Sequence, residues 1–379
     1  MTKVLYRKYR PQSFEEVVGQ KHVISVLKAA LYKNRVSHAY LFSGPRGTGK
    51  TTLARIFGRA VSCANFSSAV GGGEKLSIPP AAGPQIPCNQ CEVCREFLSG
   101  KTLDLIEIDA ASSRGIDEIR TLREGISVLP FTAKYKVYII DEVHMLTSEA
   151  FNALLKTLEE PPEHVIFILC TTEVDKVPDT VVSRAQHFEF RLIPEEELQN
   201  ALEIIVRREG LEAQTDALGL MAVLAEGSLR DAQSILDQAL AYDSSGNIRA
   251  RDLEEIFGVP SQELLEKLSL ALLKKDGAFA LKLLHRAADS NRDMKSLLKL
   301  LIRNFRFLVY LKLDPDYKKE LARFVSKKEI DFLETLSAGH GLEEFENILN
   351  RLYAAYPLLK VSYLPQLPLE LAVLKITAP

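Results

Sequence analysis

Gly44-Pro45-Arg46-Gly47-Thr48-Gly49-Lys50-Thr51 follows the pattern G-x-x-x-x-G-K-[ST]. Glycines in such a loop let consecutive backbone N–H groups curl inward toward phosphate oxygens. A helix starting at Lys50 adds its N-terminal partial positive charge at the same point. The Lys50 ammonium reaches β- and γ-phosphates, and the Thr51 hydroxyl is a ligand for Mg²⁺. Gly44, Gly47, Thr48, Gly49, Lys50, Thr51 and Thr52 therefore read as a nucleoside triphosphate site. Hydrolysis needs acidic groups as well, and Val137-Tyr138-Ile139-Ile140-Asp141-Glu142 ends an apolar run on two carboxylates. Asp141 is placed to hold Mg²⁺, directly or through water, and Glu142 to polarise the attacking water, as a general base one hydrogen bond away does. His144 reads as a loop or supporting residue. A second constellation is Cys88-x₂-Cys91-x₂-Cys94, with Cys63 upstream. Two-residue spacings bring thiolates close enough to chelate one ion; the run alone suits a zinc site or an iron–sulfur centre. Cys170, inside an apolar run, reads as core.

These residues must be held by a scaffold, and the first 190 residues supply the pattern of one. Short apolar runs at 38–43, 105–109, 137–141, 165–170 and 187–190 alternate with helical patterns at roughly 20–33, 50–62, 114–127 and 147–160. Strands alternating with helices imply a parallel sheet covered on both faces, and the uniformly apolar runs agree. After Pro194 the β-runs stop and amphipathic helix dominates, as in Leu264–Leu273, whose apolar stripe reads as helix–helix core. Residues 244–247 read as a linker, and 64–87, with Gly71-Gly72-Gly73 and Pro79-Pro80, as a long polar insertion. The chain has 379 residues, 46% hydrophobic and 26% charged, with a net charge of -2. That length suggests two or three domains, and the composition excludes a mainly disordered, collagen-like or coiled-coil chain. No apolar run approaches the ~20 residues that cross a bilayer, and no secretory signal is visible at the start. The composition therefore reads as cytoplasmic, without a membrane partner. The balanced charge leaves nucleic-acid binding open.

Asp141-Glu142-Val143-His144-Met145-Leu146 and Phe151–Pro162 resemble the AAA+ ATPases of sliding-clamp loaders, as do Tyr9-Arg10-Pro11 and Val17-Val18-Gly19-Gln20. The cysteine module within the ATPase region makes the chain similar to the gamma/tau subunits of bacterial DNA polymerase III. The resemblance is dense from the phosphate loop to about residue 240 and continues through Leu364–Ala372. It implies an AAA+ α/β domain over 1–190 with a zinc-binding insertion at about 63–97, a helical lid over 191–243, and an all-α collar over 244–379. It also implies ATP, Mg²⁺ and Zn²⁺ as cofactors, the zinc held by Cys63, Cys88, Cys91 and Cys94. The spacer of 24 residues between Cys63 and Cys88 is long for the family.

Further roles come with the resemblance. Thr172 matches a sensor near the γ-phosphate. Arg184, in Ser183-Arg184-Ala185, matches an arginine that acts on the neighbouring subunit's ATP, although Ala185 stands where the family has Cys. Arg230, in Gly227-Ser228-Leu229-Arg230-Asp231, matches a second sensor, and Arg10, Pro11 and Val18 match an adenine pocket. The implied partners are the sliding clamp, delta and delta-prime subunits, other copies of the chain in a pentameric ring, and primer–template DNA. Arg114, Arg120 and Arg123 are basic residues suited to phosphates, but Asp117 and Glu118 beside them suit a solvated face equally. The chain reaches Pro379 just past the expected collar, before any tail of a longer tau form. Two rival readings are a branch-migration motor and a non-hydrolysing scaffold subunit of the same complex. The intact loop and carboxylate pair weigh against the scaffold, and the collar and cysteine module against the branch-migration motor.

Overall fold

The computed structural model describes residues 4–66, 85–112, 125–242, 246–323 and 325–378. Arg114, Arg120 and Arg123, most of the insertion and most of the 114–127 pattern lie outside the described residues. Two compact units result: Tyr6–Pro194 with Ser228–Arg230, and the remainder.

The first unit contains, in order, α1 (Lys21–Tyr32), β1 (Ala39–Ser43), α2 (Lys50–Ser62), α3 (Glu92–Ser99), β2 (Leu105–Asp109), β3 (Lys136–Asp141), α4 (Ser148–Glu159), β4 (Val165–Thr171), α5 (Asp179–Val182) and β5 (Gln186–Glu189). The five strands form one parallel sheet in the order β2-β3-β4-β1-β5. Every residue of β1 and β4 is buried, while edge strands β2 and β5 are partly exposed. The alternation of strand side chains explains why the central runs are apolar throughout. Tyr40, Phe42, Val137, Ile139, Ile166 and Ile168 face Val23 and Leu27 of α1 and Leu53 and Phe57 of α2. Ala39, Leu41, Tyr138, Ile140, Phe167 and Leu169 face Phe151, Leu154 and Leu158 of α4. The Tyr40 ring meets Phe57 edge-on, 4.8 Å between centroids.

A buried carboxylate secures the loop entering β3. Asp104, 1% exposed, accepts the backbone N–H groups of Phe131, Thr132 and Ala133 at 2.7, 2.8 and 2.8 Å. Burial pushes its carboxyl up, but these donors outweigh that and hold it below the usual aspartate range. A depressed pKa means stability that is complete above the unfolded value, ~3.9, and lost as pH falls through the folded one. Asp104→Ala is expected to lower unfolding free energy by about 2–3 kcal/mol. The difference between variant and parent should shrink below about pH 4 in denaturant titrations.

The second unit is helical. It comprises α6 (Glu195–Arg208), α7 (Thr215–Leu224), α8 (Leu229–Tyr242, its first two residues grouped with the other unit), α9 (Ala250–Phe257), α10 (Gln262–Leu273), α11 (Gly277–Asp289), α12 (Met294–Leu313), α13 (Lys327–Gly339), α14 (Leu342–Ala355) and α15 (Leu367–Thr377), besides single turns. Leu265, Leu268 and Leu272, from the stripe read as core, pack with Leu284, Leu301, Phe305, Phe345 and Leu369 in one cluster. Contrary to the all-helical expectation, Glu212–Ala213 (β6) pairs in parallel with Asn247–Ile248 (β7). Two-residue strands leave no periodicity to read in a sequence. No helix among the described residues is long and apolar enough to cross a membrane.

Candidate active site and metal centre

The phosphate loop leaves β1 at its carboxyl end and runs into α2. Two of its glycines are required by both backbone and space. Gly44 has φ +133°, and a Cβ there would lie 2.2 Å from the Phe190 carbonyl oxygen; Gly47 has φ +75°, and a Cβ there would lie 1.8 Å from Ser228 Oγ. The α2 N-cap is Gly49, with no side chain to occupy the first-turn N–H groups, which are left for an anion. Thr48 Oγ1 donates to the Pro45 carbonyl at 2.8 Å, and Lys50 Nζ donates to the Gly44 and Pro45 carbonyls at 2.7 and 2.8 Å. Lys50 is 5% exposed. Burial pushes its ammonium down, while Glu142, Cys170 and Asp141 push it back up.

Four further predicted residues converge here. Thr51 Oγ1 donates to Asp141 Oδ2 at 2.7 Å, which joins the start of α2 to the end of β3 and brings together the two oxygens expected to hold Mg²⁺. Burial raises the Asp141 carboxyl, and the Thr51 hydroxyl offsets part of that. Glu142 turns out of the strand with φ +49°, and its Oε2 accepts both Thr172 N–H at 3.1 Å and Thr172 Oγ1–H at 2.9 Å. A carboxylate so held at the carboxyl ends of β3 and β4 is positioned to act on a water near a bound phosphate chain.

Ser228–Arg230 approaches the same loop: Leu229 N–H donates to the Gly47 carbonyl at 3.2 Å, and the Arg230 guanidinium stacks over the Tyr6 ring, 5.0 Å from its centroid. Arg10, Pro11 and Thr52 line a cavity of about 400 Å³, together with Arg55, Arg59 and Glu107; Val18 is not in its lining. Arg184 is placed elsewhere. Its guanidinium donates to the Thr180 carbonyl at 2.9 Å and pairs with Glu159 at 2.8 Å. Arg184 precedes β5, whose first residue, Gln186, stands level with Tyr40. It therefore lies beyond the amino ends of the strands, while the phosphate loop leaves their carboxyl ends. At ~3.3 Å per strand residue the separation is roughly 13 Å or more.

His144, read from the sequence as a loop or supporting residue, stands beside Thr171 and Glu142. Its side chain is 6% exposed, and Nδ1 lies 3.0 Å from Thr171 Oγ1 and 3.4 Å from Glu142 Oε2, with Nε2 3.4 Å from Glu173. Tyr6 was missed as the ring under Arg230, and no local pattern marks it.

The cysteines form a second centre. The sulfurs of Cys63, Cys88, Cys91 and Cys94 all lie within 4.8 Å of one another, a spread that one tetrahedral ion with ~2.3 Å metal–sulfur bonds can draw together. Cys88, Cys91 and Cys94 N–H groups point at the sulfurs of Cys63, Cys88 and Cys91 at 3.4, 3.3 and 3.4 Å. The hydrogen bond with the Cys94 thiol brings Cys63 down to about 4, and the same bond, with burial, drives Cys94 up. Four converging sulfurs with backbone donors fit a structural metal.

A family model described as "DNA polymerase III, delta subunit" matches residues 19–194, and "DNA polymerase III clamp loader subunit, ATPase lid domain" matches 197–245. The chain is 41% identical over 373 residues to DNA polymerase III subunit tau of Bacillus subtilis, covering 98% of this chain and 62% of that one. It is 37% identical over 316 residues to subunit gamma of Buchnera aphidicola subsp. Schizaphis graminum, covering 83% and 82%. Against subunit tau of Escherichia coli it is 39% identical, covering 82% of this chain but 46% of that one. The chain thus spans about half to two thirds of the tau subunits and four fifths of the gamma subunit. Among solved structures, the Thermotoga maritima RuvB Holliday junction branch migration motor is similar at 18% identity and a TM-score of 0.47, covering 70% of this chain and 79% of that one. With relatives of one kind matching across both units, the chain belongs to the gamma/tau subunit family of DNA polymerase III.

Proposed function

We propose that this chain is an ATP-hydrolysing motor subunit of the bacterial sliding-clamp loader. The reading rests above all on the paired contacts Thr51–Asp141 and Thr172–Glu142 around one phosphate loop. A scaffold subunit has no use for this arrangement, and gamma and tau relatives over most of the chain disfavour a branch-migration motor. In the proposed cycle the first-turn N–H groups of α2 and Lys50 take the phosphates of ATP, Lys50 exchanging its two loop carbonyls for phosphate oxygens. Thr51 and Asp141 hold Mg²⁺, which when bound offsets the negative charge of the phosphates. Glu142, released toward the γ-phosphate, polarises the water, and Thr172 reports the presence of that phosphate. Arg230 reaches the phosphates from the lid, and Arg10 and Pro11 shape the adenine side, with Val18 assigned there by resemblance and not by the lining of their cavity.

The domains of the reading are the ATPase domain over 1–190, a lid over 191–243 and a collar over 244–379. The collar joins copies of this chain with delta and delta-prime in a pentameric ring; ATP binding shapes the ring to open the clamp, and primer–template DNA triggers hydrolysis and release. The complex works in the cytoplasm. ATP turnover, measured for the full chain with delta, delta-prime, clamp and primed DNA, is expected to rise by roughly 10³–10⁵-fold over the chain alone, the range for an arginine supplied to a γ-phosphate. ATP binding without turnover in the complete assembly would instead support the scaffold reading.

Zn²⁺ is the metal proposed for the four cysteines. Metal analysis is expected to find about one zinc per chain. Cys91→Ser should increase proteolysis around residues 85–100 while ATP hydrolysis persists in part; four freely reactive thiols in native protein would overturn the assignment.

A further inference from the structure

Helix α2 begins at Lys50 and is capped at its far end by Cys63, so one helix joins the phosphate loop to the cysteine centre. One turn before Cys63, on the same face by i,i+4 spacing, stands Arg59. It is 4% exposed, and among the described residues it is within ion-pair distance of no carboxylate. A charge in that position is costly unless compensated. Burial pushes the guanidinium down, and the sulfurs of Cys94 and Cys63, then Glu16 and Cys88, push it back up. Four thiolates and one divalent ion carry a net charge of about -2, so the centre and Arg59 offset one another. Among the described residues, Arg59 Nε has no hydrogen-bond partner.

The rest of the guanidinium is committed in another direction. Nη2 donates to the Gln12 carbonyl and Nη1 lies 3.3 Å from Gln12 Oε1. Asn89, between Cys88 and Cys91, donates its side-chain N–H to the same carbonyl at 3.1 Å, while its backbone N–H faces Cys94. Gln12 immediately follows Arg10-Pro11, which line the cavity beside Thr52. The carbonyl of Gln12 is therefore gripped from α2 and from the cysteine loop at once.

We propose that Arg59 is the counter-charge of the tetrathiolate centre, and that Arg59 and Asn89, through the Gln12 carbonyl, make this centre a clamp that positions Arg10 and Pro11 at the nucleotide. The inference rests on the zinc and adenine-pocket readings above. Zinc bound far from the phosphates then contributes to nucleotide affinity through the chain's own residues.

The test uses the full chain, metal counts, zinc release to a chromogenic chelator, and binding of a fluorescent ATP analogue. Arg59→Gln is expected to bind one zinc but release it about tenfold or more faster, the usual loss for an outer-shell partner. Arg59→Lys keeps the charge but not the fork, so zinc release should stay near the parent's while analogue binding weakens. Asn89→Gly, which removes the side-chain donor and keeps the left-handed backbone of this half-buried position (φ +58°), should weaken analogue binding in the same way and carries the test should Arg59→Gln fail to fold. Stripping zinc from the parent should weaken the analogue by the same factor as Asn89→Gly or more. Parental zinc release from Arg59→Gln overturns the counter-charge, and unchanged analogue affinity in folded, zinc-free parent overturns the clamp. A parent without metal sinks the zinc reading and the inference with it, whereas an Arg10→Ala chain with normal analogue affinity sinks only the adenine-pocket reading and the clamp.

Discussion

Arg184→Ala is expected to lower ATP turnover of the assembled, DNA-stimulated complex by roughly 10³–10⁵-fold, the range measured for arginines supplied to a γ-phosphate. ATP affinity of the isolated chain should hardly change, because Arg184 is engaged with Thr180 and Glu159 at the amino ends of the strands, away from its own phosphate loop. The isolated chain should bind ATP and turn it over slowly, with or without Arg184. Mixing Arg184→Ala with Lys50→Ala chains tests the direction. An Arg184→Ala chain keeps a working loop, and a Lys50→Ala neighbour supplies the missing guanidinium. Verified mixed assemblies should recover turnover that neither pure variant shows; their failure to do so would remove the action in trans.

Glu142→Gln should preserve nucleotide binding and cut hydrolysis by about 10²–10⁴-fold, the usual contribution of a general base. An amide occupies the same space and can still accept the Thr172 donors at its oxygen, yet it takes no proton from water. Equilibrium binding with the ATP analogue, set against single-turnover hydrolysis, separates the two effects. Hydrolysis at the parental rate would relieve Glu142 of the catalytic role and shift attention to the other groups around Thr171 and Thr172.

What could be read from the sequence follows a physical divide. The strands and α2 were legible because buried parallel strands must be apolar on both faces, and because a phosphate loop needs glycine where φ is positive. Asp141 and Glu142 were legible as the end of a buried strand. Contacts set by which strands become neighbours were not. His144 reaches Thr171 only because β3 lies beside β4, and nothing near either residue announces it. Arg59 carries no mark in the sequence, because its partners on Gln12 lie 47 residues away. Arg230 and Arg184 owed their selection to resemblance alone; a lone arginine on or near a helix has no local signature of such a role. The β6–β7 pair was too short to read at all.

A parallel sheet with its phosphate loop at one end and Arg184 at the other makes each subunit polar, like an arrow with a socket at its head and a plug at its tail. With Arg184 acting on a neighbour's nucleotide, as the resemblance implies, such units meet head to tail, which builds closed rings or open rows. In a closed ring every socket is filled. An open row leaves one socket empty at one end and one plug idle at the other, so its terminal chains are catalytically unequal to the rest even though their sequences are identical. Any non-hydrolysing protein placed at the socket-bearing end of such a row needs only an arginine in the right place to complete the last site.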